Sequence, residues 1–206
     1  MRTAAFGEKG LTLLDRLGNW LSIRAIRRHL PPGNAPYILD LGSGYRARLL
    51  QALGTQAGTR HAVDLRLDPA LRTLPGFVAT EAPIPAALAT LTQHTADVVL
   101  LISVLEHLEE PMAVLRECAR VLKPGGRLLI NVPTWRGRWC LELAAFRLGL
   151  CPAEEIDDHK LYYDVRSLWP MLVAAGFRPR AIRIAPIKFG LTLFAVAQKS
   201  PDLVPS

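Results

Sequence analysis

The chain has 206 residues, 50% hydrophobic and 21% charged, a balance that builds a buried core and excludes intrinsic disorder. Basic residues exceed acidic ones by 25 − 18 = 7, and 20 of the 25 are arginine, which poses the question of a nucleic-acid or membrane partner. No run approaches the ~20 apolar residues of a membrane span, Arg2, Glu8, Lys9, Asp15 and Arg16 break up any secretory signal, and three cysteines 22 and 11 residues apart form neither a disulfide framework nor a zinc site.

Residues 1–36 read as a basic helical leader. Leu14, Leu17 and Leu21 fall at helical spacing beside Trp20, Arg16, Arg24, Arg27 and Arg28 occupy polar positions, and Pro31-Pro32-Gly33 stops the helix. Short apolar runs then alternate with helical stretches. Strands are predicted over 37–41, 61–65, 77–80, 96–102 and 127–132, and helices over 46–53, 86–91 and 111–122, with a short one from Asp68-Pro69. Ala96 to Ile102 is apolar on both faces, as a central parallel strand should be. Lys123-Pro124-Gly125-Gly126 reads as a stop and turn. This alternation predicts an open parallel sheet covered on both sides. After Pro133, residues 135–164 read as a substrate-side insert, with Trp135, Trp139 and Phe146 among Arg136, Arg138 and Arg147. They suit either a lid over an acceptor or a helix packing the sheet edge. A helix over 165–175 closes at Gly176, strands near 178–184 and 191–197 pair antiparallel at the edge, and 200–206 is a flexible tail.

Chemistry concentrates where the first strand runs into Asp40-Leu41-Gly42-Ser43-Gly44. Glycines at the carboxyl end of a parallel strand let the backbone approach a ligand closely. Gly42, Gly44 and Ala47 also satisfy the dinucleotide pattern G-x-G-x-x-A, so spacing alone leaves a nicotinamide cofactor open. Asp40 argues otherwise. A carboxylate two residues before the first glycine repels a pyrophosphate and attracts an ammonium or sulfonium. Asp64, 20 residues beyond Gly44, stands where a carboxylate accepts ribose hydroxyls.

Five segments in order, Asp40-Leu41-Gly42-Ser43-Gly44, Val63-Asp64-Leu65, Asp97-Val98-Val99-Leu100, Val104-Leu105-Glu106-His107-Leu108 and Leu122-Lys123-Pro124-Gly125-Gly126, resemble the class I S-adenosylmethionine-dependent methyltransferases, in particular their small-molecule group. The resemblance covers about residues 37–198, within a domain expected over 37–199. It implies an α/β fold with a doubly wound, Rossmann-like seven-stranded sheet, mostly parallel with an antiparallel last strand, and S-adenosyl-L-methionine as cofactor. By resemblance, Asp40, Gly42, Ser43 and Gly44 underlie the methionine part, Asp64 holds the ribose, Leu65 packs on the adenine, Glu81 and Ala82 meet the adenine amino group, and the Ser103 backbone helps hold the amine. Arg46 stands where the family often has a third glycine.

Methyl transfer is chiefly a matter of alignment, so a base is needed only if the acceptor must lose a proton. His107 is the candidate base, since histidine titrates near neutral pH; its other reading is to fix the turn into the next helix. Glu106 reads as structural. In Asp157-Asp158-His159-Lys160-Leu161-Tyr162-Tyr163, His159 and Tyr162 are candidates for the acceptor side. A metal there lacks a second ligand cluster. His29, His61 and His94 read as bystanders. The expectation is a cytoplasmic methyltransferase acting on a small-molecule acceptor, anionic or lipid-linked acceptors suiting the basic leader and insert. No basic run has the aromatic interleaving of a nucleic-acid module. Peripheral membrane contact through the leader remains open, as do two alternatives: a nicotinamide-dependent oxidoreductase and a non-catalytic cofactor-binding protein.

Overall fold

The computed structural model describes residues 13–31, 36–54, 58–135, 137 and 161–201, with 13–16 described by backbone alone. Among these, β1 (Ile38–Leu41), β2 (Arg60–Asp64), β3 (Phe77–Glu81), β4 (Ala96–Ile102), β5 (Leu122–Pro133), β6 (Ile182–Ile187) and β7 (Thr192–Gln198) form one sheet in the order β3-β2-β1-β4-β5-β7-β6. All neighbours are parallel except β7, which runs antiparallel to both β5 and β6. The order reverses between β1 and β4, so the carboxyl ends of these strands flank the switch point where open sheets take ligands.

The helices α1 (Leu13–Arg27), α2 (Arg48–Leu53), α3 (Ile84–Thr90), α4 (Pro111–Val121) and α5 (Val165–Ala174) cover the sheet. Alternate strand residues point to opposite faces. Leu39, Val99, Leu101 and Ile130 join the core beneath α3, α4 and α5, while Ile38, Val98, Leu100 and Leu129 join the one beneath α1 and α2. Both faces are dry, which is why β4 is apolar throughout. α1 belongs to this packing: Ile26 is fully buried, Arg27 donates to Ala52 O at 2.7 Å, and Arg127 donates to His29 O at 2.8 Å.

The expected elements are present with shifted ends. α2 begins at Arg48 rather than 46, because Ala47 before it has a left-handed backbone (φ 43°). The short element after Asp68 is a 3₁₀ turn, Pro69–Thr73, capped by the Asp68 carboxylate. Lys123-Pro124-Gly125-Gly126 is the irregular start of β5: Ala96 pairs with Leu122 and Val98 with Arg127, so these four residues bulge against Asp97. Lys123 donates to both Asp97 oxygens at 2.9 Å, and the Tyr37 N–H donates to the same carboxylate at 2.8 Å. Gly126 is forced here, since a Cβ would lie 2.9 Å from Lys123 O. Both motifs therefore serve the amino-terminal edge of the sheet. Of the edge pair, only β6 is the edge; β7 lies inside, between β5 and β6. Cys118 is fully buried with its thiol pKa pushed up by burial, an inert packing residue; Cys140 and Cys151 lie outside the described residues.

Candidate functional site

The glycine turn after β1 is pinned to β2 by Gly42 N–H and Ser43 N–H, both donating to Val63 O at 2.8 and 3.1 Å. Gly42 and Gly44 have φ of 74° and 73°, conformations that cost other residues strain. At Gly42 space is also short: a Cβ would stand 2.5 Å from Val104 Cγ2. The turn thus touches the segment after β4, and the two carboxyl ends at the switch point close on each other. Arg46 is not among the residues with positive φ; Ala47 is. The missing third glycine therefore imposes no strain at Arg46.

Asp40 lies on this turn's approach, 1% exposed, and its Oδ2 is buried without a hydrogen-bond partner. Burial first, then the Asp64 charge, raises its pKa from an ordinary 3.8 to about 7. Buried acceptors are nearly always satisfied, so an orphaned carboxylate oxygen beside a glycine cradle is suited to a cationic ligand. Asp64 ties the turn together: Gly44 N–H donates to Oδ2 and Leu65 N–H to Oδ1, each at 2.7 Å. A carboxylate has further lone pairs for ribose hydroxyls. Leu65 beside it is 55% exposed, an apolar side chain open to a planar ring. Ala82 N–H donates to Asp64 O at 3.0 Å. Glu81 is committed differently: it accepts from Leu67 N–H at 2.9 Å and Arg72 at 3.0 Å, which hold its carboxyl below the ordinary range, the Leu67 bond contributing most. It therefore braces the loop after β2.

Ser103 ends β4 with a left-handed backbone (φ 56°), its N–H donating to Asn131 O at 2.8 Å. A 3₁₀ turn, Leu105–His107, follows. His107 is half-buried and its N–H closes the turn on Val104 O at 2.9 Å. Residues 161–163 run alongside: Leu161 N–H donates to Glu106 O at 3.3 Å, and the Tyr163 hydroxyl donates to Leu105 O at 3.2 Å. Tyr162 is thus brought to the His107 turn, its ring 5.3 Å from that of Trp135. His159 and the insert between 138 and 160 lie outside the described residues.

Two polar residues absent from the sequence reading join this end of the sheet. Asn131 of β5 is fully buried; with its amide oriented to suit its neighbours, the nitrogen donates to Thr192 Oγ1 and Leu193 O at 3.0 Å, and the oxygen accepts from Lys188 Nζ at 3.3 Å. Burial lowers the Lys188 pKa to about 8, against the opposing pull of the Glu106 charge. Glu106 itself is 1% exposed. No local spacing marks Lys188, because only the antiparallel return of β7 carries its hairpin to the end of β5.

A family model described as "Methyltransferase domain" matches residues 39–130, the stretch holding every residue expected on the cofactor side. Over that stretch the chain is similar to methyltransferases. Two curated relatives are ubiquinone biosynthesis O-methyltransferases: that of Xylella fastidiosa (strain 9a5c) is 30% identical over 61% of this chain and 50% of its own, and that of Aliivibrio fischeri (strain MJ11) 28% identical over 70% and 65%. The chain thus spans half to about two thirds of their length. In fold, the chain resembles an S-adenosylmethionine-dependent methyltransferase from Thermotoga maritima (13% identity, TM-score 0.66, covering 91% of this chain and 92% of that one). It likewise resembles a Haloferax volcanii methyltransferase solved with an activator protein (16% identity, TM-score 0.67, covering 90% and 91%).

Of the other described histidines, His61 and His29 have structural partners. His61 is buried, its ring nitrogens 2.6 Å from the Tyr37 hydroxyl and 2.8 Å from Thr80 Oγ1. The His29 ring stacks on Phe194 at 5.7 Å. No group of three metal-ligating side chains occurs among the described residues, and no helix among them is long and apolar enough to cross a membrane.

Proposed function

We propose that the chain uses S-adenosyl-L-methionine to methylate a hydroxyl on a small-molecule acceptor, an unsaturated or aromatic ring of the kind its relatives' names imply. The observation that carries the cofactor assignment is the orphaned, buried Oδ2 of Asp40 beside the Gly42–Gly44 turn. The residues present suit this ligand: Asp40 answers its positive charge, Asp64 its ribose, and Leu65 its adenine face. S-adenosylmethionine supplies a sulfonium methyl already activated for displacement, so the chain's task is alignment, worth roughly 7–11 kcal/mol of barrier in favourable cases. His107 is the group proposed to take the acceptor's proton, with Tyr162 lining the approach.

A nicotinamide cofactor fits worse. Its pyrophosphate would meet the Asp40 carboxylate, and the six-residue α2 starts only after the left-handed Ala47. Calorimetric titration separates the two readings: S-adenosylmethionine and S-adenosylhomocysteine should bind, and NADH should not. Tight NADH binding without either sulfur ligand would end the proposal. The acceptor class is tested with methyl-labelled cofactor against hydroxylated rings, amines and sugars, label in the ring class alone being expected.

A further inference from the structure

Beyond the pocket, the outer face of α1 and the β6–β7 hairpin present an unusual surface. Trp20 is 56% exposed and Leu17 one turn earlier 52%, while Phe189 at the hairpin tip is 98% exposed. Lys188, the neighbour of Phe189, comes close to α1, since a Cβ on Gly18 would stand 3.7 Å from its Nζ. Large exposed apolar groups gathered from two elements mark interaction sites rather than accidents. Next to them on α1, Trp20, Ile23, Arg24, Arg27 and Arg28 line an open hollow, with the Arg24 guanidinium 6.0 Å from the Trp20 ring centre. Neither contributing stretch, residues 17–31 or 182–190, contains an aspartate or glutamate. Arg183 is also close enough to act, with Arg127 and Arg28, on the charge of His29.

We propose that this face docks the protein on an anionic phospholipid surface, Trp20, Leu17 and Phe189 entering the headgroup boundary and Arg24, Arg27 and Arg28 binding lipid phosphates. The chemistry is complementary on each count. Tryptophan favours the interface, where its ring is buried and its N–H stays wet. Guanidinium forks match phosphate oxygens. The absence of aspartate and glutamate from residues 17–31 and 182–190 avoids repelling an anionic leaflet there. Nucleic acid would also meet the arginines, but a protruding Phe189 and Leu17 beside them suit a hydrocarbon boundary better than a phosphate backbone. The inference stands apart from the acceptor's identity, since a surface-docked enzyme can take either a lipid-linked or a water-soluble acceptor.

The test is co-sedimentation of the whole protein with vesicles of phosphatidylcholine alone and of equal parts phosphatidylcholine and phosphatidylglycerol. Binding is expected only to the second, weakening as salt rises. Changing Arg24, Arg27 and Arg28 to glutamine should weaken it about fivefold per residue, on the order of a hundredfold together. Because Arg27 also holds Ala52 O, the paired change Trp20→Ser and Phe189→Ser, both at exposed positions, gives a second route to the same loss. S-adenosylhomocysteine affinity should stay unchanged in every variant, separating a docking failure from a failure of the methyltransferase reading. The proposal is overturned if the wild type ignores the anionic vesicles, if the variants bind them as well as the wild type, or if the same residues prove necessary for binding duplex DNA or RNA but not vesicles.

Discussion

Asp40 shows how a residue proposed to bind the cofactor can be a structural liability. Its carboxyl, buried and near Asp64, titrates near 7 rather than 3.8, so the folded chain holds that proton more tightly than the unfolded one. The contribution to stability is complete below about pH 4 and is lost as pH rises through 7. Asp40→Asn escapes that loss. Without ligand, it should melt above the wild type at pH 8 by several degrees, about 10 °C at most, and the gap should close toward pH 4. The same change should weaken S-adenosylmethionine binding tenfold or more, read by calorimetry. A variant neither stabilised nor weakened would contradict the role of Asp40. Gly42 makes a steric counterpart. Gly42→Ala combines a strained φ with a Cβ 2.5 Å from Val104 Cγ2, and should cut S-adenosylhomocysteine affinity at least tenfold. Adding Val104→Ala should restore part of it, since only the clash is relieved and the backbone cost of ~1–2 kcal/mol remains.

At the scale of elements, two of the motifs that carry the family resemblance turn out to build the fold rather than the site. Asp97 and the Lys123–Gly126 bulge join the starts of β4 and β5 through the 2.9 Å ion pair and the Tyr37 N–H, at the end of the sheet remote from Asp40. Asp97→Ala should therefore lower the melting temperature by roughly 3–8 °C, for a lost partner worth about 1–3 kcal/mol, while cofactor affinity holds; a loss of affinity would place Asp97 in the site. The strands were legible because burial on both faces makes them short apolar runs, and the glycine turn because its dihedrals demand glycine. Helix ends were less so: nothing in Arg46-Ala47 announces a left-handed alanine. Lys188 and Asn131 were invisible for a different reason. Their meeting depends on β7 inserting between β5 and β6, a long-range pairing that no window of sequence contains.

Across the whole molecule, the charge excess and the buried histidines set opposite limits. The +7 charge belongs to the chain as a whole, while the proposed pocket rests on two carboxylates, Asp40 and Asp64. Unliganded stability should fall on both sides of a mildly acidic optimum. Asp40 erodes it upward through pH 7. His61 acts on the acid side: burial lowers its pKa below the ordinary 6.5, so the folded state resists the proton that the unfolded chain accepts. Its contribution is present above pH 6.5 and is lost as pH falls through the folded value. His29 works the same way, through burial first and then Arg127, Arg28 and Arg183. His61→Gln keeps groups able to meet the Tyr37 hydroxyl and Thr80 but cannot titrate. Removing the His61 contribution leaves that of Asp40 unopposed, so the melting temperature at pH 5 should exceed that at pH 7.5 by more in the variant than in the wild type, even if the variant is less stable at both. Equal differences would mean that His61 is protonated in the fold, and that the core beneath β2 admits a charge that its burial argues against.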